Sequence, residues 1–117
     1  MNPVERARLY LDVIFVSRAW ERLRSVMTDD CSFKGPFFQF ESADEYIDVM
    51  RSDPPDESEY ELVETFQNES SVCVWYRFSK PDLTSMMAQR FVIRDQKIHH
   101  IDLVFDAVDF APEVKGM

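Results

Sequence analysis

The sequence predicts an α+β domain in which three N-terminal helices pack on one face of a curved antiparallel sheet. Three observations carry that prediction. Helix-start residues stand at Asn2, Ser17 and Ser42, all in the first half of the chain. Helical periodicity ends at the Asp53-Pro54-Pro55-Asp56 stop, after which four strand-like runs follow, joined by short polar turns. The cleanest alternation is Val72, Val74, Tyr76 and Phe78, interleaved with Cys73, Trp75 and Arg77.

Each element has a local cause. Asn2 can cap, Pro3 suits the first helical position, and Glu5 sits where a capping box needs its acid. Apolar residues at 9–11 and 13–16 nearly surround this helix, so burial on several sides is expected. Ser17 is expected to cap a shorter helix with Trp20, Leu23 and Met27 at helical spacing, ended by Thr28-Asp29-Asp30. Residues 31–40 read as two short strands around Gly35-Pro36, carrying Phe33, Phe37, Phe38 and Phe40. Ser42-Ala43-Asp44-Glu45 opens the third helix, in which Tyr46, Ile47 and Met50 share a face. Strands at 60–67 and 72–79 flank Asn68-Glu69-Ser70-Ser71, and strands at 85–94 and 97–105 flank Asp95-Gln96, a two-residue hairpin connection. Glu64 breaks the Tyr60, Leu62, Phe66 alternation, which favours a bulge or a rim position over a lone carboxylate in the interior. The tail at 111–117 is expected to fray.

Composition limits the chemistry. The 117 residues are enough for one core, burying roughly two-thirds of the unfolded surface, so residues 1–117 read as one domain. The two glycines, Gly35 and Gly116, leave no phosphate-cradling loop and no G-x-S-x-G elbow. Twenty-two acids against thirteen bases give a net charge of −9, which repels nucleic acid. Cys31 and Cys73 have no metal-type spacing and read as thiols of a reducing compartment, so a cytoplasmic protein is expected. The apolar run at 9–16 is broken by Asp12 and is too short to span a bilayer, so no membrane partner is expected. His99 and His100, the two histidines, point to opposite faces of a regular strand; neither a metal nor a cofactor is expected.

The element order, with W-E-R-L-R-S-V-M-T-D-D-C-S-F-K-G-P-F at 20–37 and R-F-V-I-R-D-Q-K-I at 90–98, resembles the nuclear transport factor 2-like superfamily over residues 3–106. Small bacterial SnoaL-like and ketosteroid-isomerase-like proteins are the nearest in length. The resemblance implies a cone-shaped sheet with a pocket at its mouth. Superfamily members include isomerases, polyketide cyclases, dehydratases, epoxide hydrolases and non-catalytic binding modules, and many are homodimers.

Residue by residue, the resemblance withholds the steroid-isomerase set. The family's tyrosine on the first helix, aspartate before a proline and acid on the penultimate strand fall on Leu11, Gly35 and Gln89. Tyr10 is adjacent to Leu11 but lies about 100° away around the helix. The His-x-Asp pattern of SnoaL-type cyclases resembles His100-Ile101-Asp102; aligned through Lys97-Ile98, the aspartate position falls on Leu103 instead. A regular ladder from Asp95-Gln96 would gather Gln89, His100 and Asp102 on the inner face. A one-residue bulge near His99-His100 would instead turn Ile101, Leu103 and Phe105 inward, worth about 1.5–3 kcal/mol for each side chain buried, and that favours the bulge.

The expected function is binding of a small, mostly apolar molecule in the cone. Its lining is expected from Leu11, Phe15, Phe33, Phe40, Tyr46, Met50, Met87, Gln89, Ile101 and Leu103. The alternative is a cofactor-free isomerase, cyclase or dehydratase using Asp102 as acid and base, helped by His100 and Gln89. Trp75, Met86 and Val92, with Ala88 and Arg90 on the same outer sheet face, form a patch expected to bury itself in a homodimer.

Overall fold

Asn2 closes the start of α1 (Pro3–Asp12) from both sides: its side chain accepts from the Glu5 N–H at 2.8 Å, and the Glu5 carboxylate accepts from the Asn2 N–H at 3.2 Å. The computed structural model describes residues 1–110, so the tail expected to fray lies outside the described residues. Past Asp12 the helix widens into a π turn, Val13–Ser17, and stops at Arg18, which is left-handed with φ 58°. The wider turn keeps Val13 and Ile14 buried while Val16 is turned out to solvent. Ser17 does not cap α2 (Trp20–Ser25): its hydroxyl accepts from the Ala19 N–H, ahead of the helix.

Thr28-Asp29-Asp30 does not end a helix but lies within β1 (Met27–Lys34). Charge pairing explains how polar residues are tolerated there. Arg24 donates to Asp29 at 2.6 Å and to Asp44 at 2.8 Å, and Arg94 donates to Asp30 at 2.9 Å. These residues occupy the irregularity where β1 slips in register against its neighbour. The second strand, β2, is only Gln39–Phe40. α3 (Ala43–Ser52) begins as the sequence predicts, with the Ser42 hydroxyl accepting from the Glu45 N–H.

The remaining strands are β3 (Glu59–Gln67), β4 (Ser71–Lys80), β5 (Leu83–Arg94) and β6 (Lys97–Phe105), followed by a 3₁₀ turn, Ala107–Phe110. The sheet order is β2-β1-β6-β5-β4-β3. β3 to β6 form the expected antiparallel meander, but the last strand returns beside the first, and β1 pairs with β6 in parallel. In β3 the register shifts between Leu62 and Glu64, which leaves Glu64 exposed and opposite Trp75. At the β5–β6 turn, Asp95 and Gln96 both take positive φ, 52° and 64°, the twist a two-residue hairpin needs. Arg6 on α1 is 6% exposed and its Nε donates to the Gln96 carbonyl at 2.6 Å, tying the first helix to that turn. Among the described residues no helix is long and apolar enough to cross a membrane.

Candidate functional site

The sheet carries different chemistry on its two faces. On the inner face Val72, Val74, Tyr76 and Phe78 of β4 lie beside Met87, Gln89 and Phe91 of β5, then Ile98 and Ile101 of β6. The helices cover them with Tyr10, Leu11 and Tyr46, all buried. Of the expected lining residues, Leu11 and Ile101 are fully buried and Gln89 is 1% exposed. Phe33, Phe40, Tyr46 and Met87 are also buried, while Phe15, Met50 and Leu103 are half-buried against the same core. A water-sized sphere scarcely reaches the deepest of these groups, so the cone is closed around them by its own side chains.

Four polar side chains lie within this core. The Tyr76 hydroxyl donates to Gln89 Oε1 at 2.9 Å, and the Tyr10 and Tyr46 hydroxyls are hydrogen-bonded to each other. Tyr10 meets the edge of Phe91 at 5.0 Å, and Tyr46 stacks on Phe33 at 5.0 Å. Burial holds the hydroxyls of Tyr10, Tyr46 and Tyr76 well above the usual phenol range and pushes the Cys31 thiol up to about 12. Among the described residues no Asp, Glu or His is buried. The inner polar set is therefore neutral across the physiological range. Tyr10 was missed by the sequence argument because a helix apolar nearly all round can bury positions 10 and 11 together. Tyr76 was visible as part of the β4 stripe, but not its bond to Gln89.

The outer face is decided by β6. Phe91 faces Ile101 and Gln89 faces Leu103, yet Val92 faces His100 and Ile93 faces Ile98, so His99 is an extra residue. This bulge turns Ile101 and Leu103 inward and His100 and Asp102 outward. Gln89, His100 and Asp102 therefore do not form one inner cluster; the sheet separates the first from the other two. Burial of the apolar side chains is the physical reason. On the outer face Ser32 Oγ lies 2.6 Å from His100 Nδ1, His100 Nε2 lies 2.8 Å from Asp102 Oδ1, and Arg90 Nη1 donates to Asp102 Oδ2 at 3.0 Å. The bulge also brings His99 to the outer face, against Thr28 and Arg94. Among the described residues no three His, Cys, Asp or Glu groups converge as a metal site.

Two surface grooves flank this outer face. One, of about 460 Å³, is bounded by Lys34, Arg90 and Asp102 with apolar walls from Ala88, Leu103 and Val104. The other, of about 740 Å³, runs along Trp75, Met86 and Phe105. Leu103 is the single expected cone residue found in either.

The SnoaL-like domain matches residues 7–101. The chain belongs to the SnoaL-like family. No curated protein matches it in sequence. Among solved structures, a nuclear transport factor 2-like protein of unknown function from Cytophaga hutchinsonii is similar with a TM-score of 0.79 and 14% identity, over 92% of this chain and 93% of that one. An LEH-like epoxide hydrolase from M. tuberculosis is similar with a TM-score of 0.76 and 13% identity, over 97% and 90%. A de novo designed protein with a curved β-sheet reaches a TM-score of 0.72 at 15% identity, over 99% and 96%. A designed chain sharing the SnoaL-like shape makes the point that function must be argued from side chains.

Proposed function

We propose that this SnoaL-like domain binds a small, mostly apolar molecule bearing one carbonyl oxygen inside its cone, and does so without acid–base catalysis. The observation that carries this reading is the buried set Tyr10–Tyr46 and Tyr76–Gln89 in a core that holds no carboxylate or imidazole among the described residues. Within the pair one proton closes the contact and the other is left for a further acceptor; the Tyr10 hydroxyl also reaches Gln89, so a ligand carbonyl would compete with that amide for it. With their titration pushed upward by burial, the tyrosines stay neutral donors and do not act as bases. Because its own side chains close the cone, entry requires one of them to move, and Met50, unbranched and half-buried, is the side chain that can yield room to a ligand. The free thiols Cys31 and Cys73 suit a cytoplasmic setting.

The test compares 2-acetylnaphthalene with 2-ethylnaphthalene, followed by protein NMR. The ketone is expected to bind about threefold to tenfold tighter, the worth of one added hydrogen bond. Tyr46→Phe should erase the difference, and equal binding of the two compounds would refute the reading.

The same proposal includes a homodimer through the outer face. The contact is centred on Trp75, 41% exposed on β4, and on Met86, half-buried beside it on β5, which leaves the β1–β6 side of the outer face, with Ser32 and His100, open. Sedimentation should show a dimer at micromolar concentration that Trp75→Glu converts to monomer; a monomer unchanged by the substitution would remove the proposal.

A further inference from the structure

We propose that the outer face carries a second, catalytic site: Ser32 is a nucleophile for small activated esters, with His100 as its base and Asp102 as the group that orients the imidazole. The polarity of the relay follows from what each group can do. The Asp102 carboxylate only accepts, so His100 Nε2 carries the ring proton and donates it at 2.8 Å. That leaves the Nδ1 lone pair to accept the Ser32 hydroxyl at 2.6 Å, and the serine proton is already committed to a base. Arg90 holds the second Asp102 oxygen at 3.0 Å and fixes the carboxylate. The strand pairing keeps these parts in register, with Ser32 beside His100 on the parallel seam and Asp102 beside Lys34 on one side and Arg90 on the other.

The Lys34 side chain makes no hydrogen bond or ion pair with another described residue, so on this acidic chain it remains available to face the negative charge that develops on an attacked ester. The groove bounded by Lys34 and Arg90 meets the relay at Asp102, the member that lines it, and has apolar walls from Ala88 and Val104, suited to a short acyl chain. In the reaction Ser32 Oγ bonds to the acyl carbon while its proton moves to His100 Nδ1. The ester C–O bond then breaks and the leaving alkoxide takes that proton and departs as the alcohol. Water attacks the acyl-serine, giving its proton to the same nitrogen; that proton returns to Ser32 as the carboxylic acid leaves. The site is independent of the cone, on the opposite side of the sheet from Gln89.

Incubating the full chain with 4-nitrophenyl butyrate should release a burst of one nitrophenolate per chain and place a butyryl group on the peptide containing Ser32. Ser32→Ala should abolish both with an unchanged melting temperature. His100→Asn should slow acylation at least about a hundredfold. Should Ser32→Ala misfold, Ser32→Cys keeps a nucleophile and must be acylated in a His100-dependent way. Absence of a burst in folded protein, labelling of lysines instead of Ser32, or a burst that survives Ser32→Ala would each overturn the proposal.

Discussion

The two faces of one sheet, a single backbone thick, hold polar groups on opposite terms. The inner face pairs neutral with neutral: Tyr76 with Gln89 and Tyr10 with Tyr46, all at most 3% exposed. The outer face pairs charge with charge or with imidazole, as in Arg90–Asp102–His100, at side-chain exposures of 55%, 31% and 29%. A carboxylate moved inward would lose its solvation, whereas a tyrosine needs only one partner. The allocation rests on one extra residue, His99, which sets whether Asp102 or Leu103 faces the helices.

Deleting His99 is therefore the largest perturbation. It should drive Ile101, Leu103 and Phe105 toward solvent, costing about 1.5–3 kcal/mol for each side chain fully exposed. Against a typical total of about 5–15 kcal/mol, the deletion should leave the chain largely unfolded by circular dichroism. His99→Ala keeps the bulge and should melt within a few degrees of wild type. A folded deletion variant would show that the register is not set by the core.

Alkaline pH separates the faces next. Tyr10, Tyr46, Tyr76 and Cys31 have folded pKa values raised by burial, so the native state holds their protons more tightly than the unfolded chain. Their contribution is intact below the unfolded values, about 8.5 for a thiol and about 10 for a phenol, and is lost as pH rises beyond them. Each group can remove up to about 1.4 kcal/mol per pH unit. Urea midpoints should be level to about pH 8.5 and fall steeply above pH 10. The outer carboxylates have the opposite sign. Asp29 is held below its usual range by Arg24, and Asp30 by Thr28 and Arg94, so their contribution is present above about pH 4 and fades as pH falls. Both are surface groups, and the acid limb should be shallow beside the alkaline one.

These contrasts show what the sequence could and could not disclose. Local signals were legible: the Asn2 box, the Ser42 cap, the β4 stripe and the two-residue turn each depend on neighbours within a few positions. The bulge was legible through energetics, because three apolar side chains outweigh one histidine. Partnerships across the chain were not. Ser32 and His100 are 68 positions apart, and the parallel seam that joins them appears only when β6 returns beside β1. Thr28-Asp29-Asp30 misled for the same reason, since the arginines that let it lie in a strand come from α2 and β5.

A smaller effect probes the inner hydrogen bonds themselves. Tyr76→Phe removes the donor to Gln89 and leaves a buried amide oxygen unpaired, expected to cost about 1–3 kcal/mol in urea denaturation. Adding Gln89→Met to that variant removes the orphaned group, so the double variant should be more stable than the sum of the single changes predicts. Strict additivity would mean that the two side chains are not coupled.

The smallest effect belongs to the outer face. Arg77 and Glu61 form an ion pair across β3 and β4, with side chains 46% and 70% exposed. Water solvates both partners well when they separate, and holding two long side chains in place costs rotamer freedom. Arg77→Ala should therefore change stability by less than about 1 kcal/mol, and by less still at high salt. Arg77 also adjoins Trp75 on the proposed dimer surface, so the measurement belongs at two protein concentrations. A loss confined to the higher concentration would place Arg77 in the subunit contact. A loss above about 2 kcal/mol at both would contradict the difference between the two faces, because an exposed charge pair would then be stabilising the fold as strongly as a buried tyrosine.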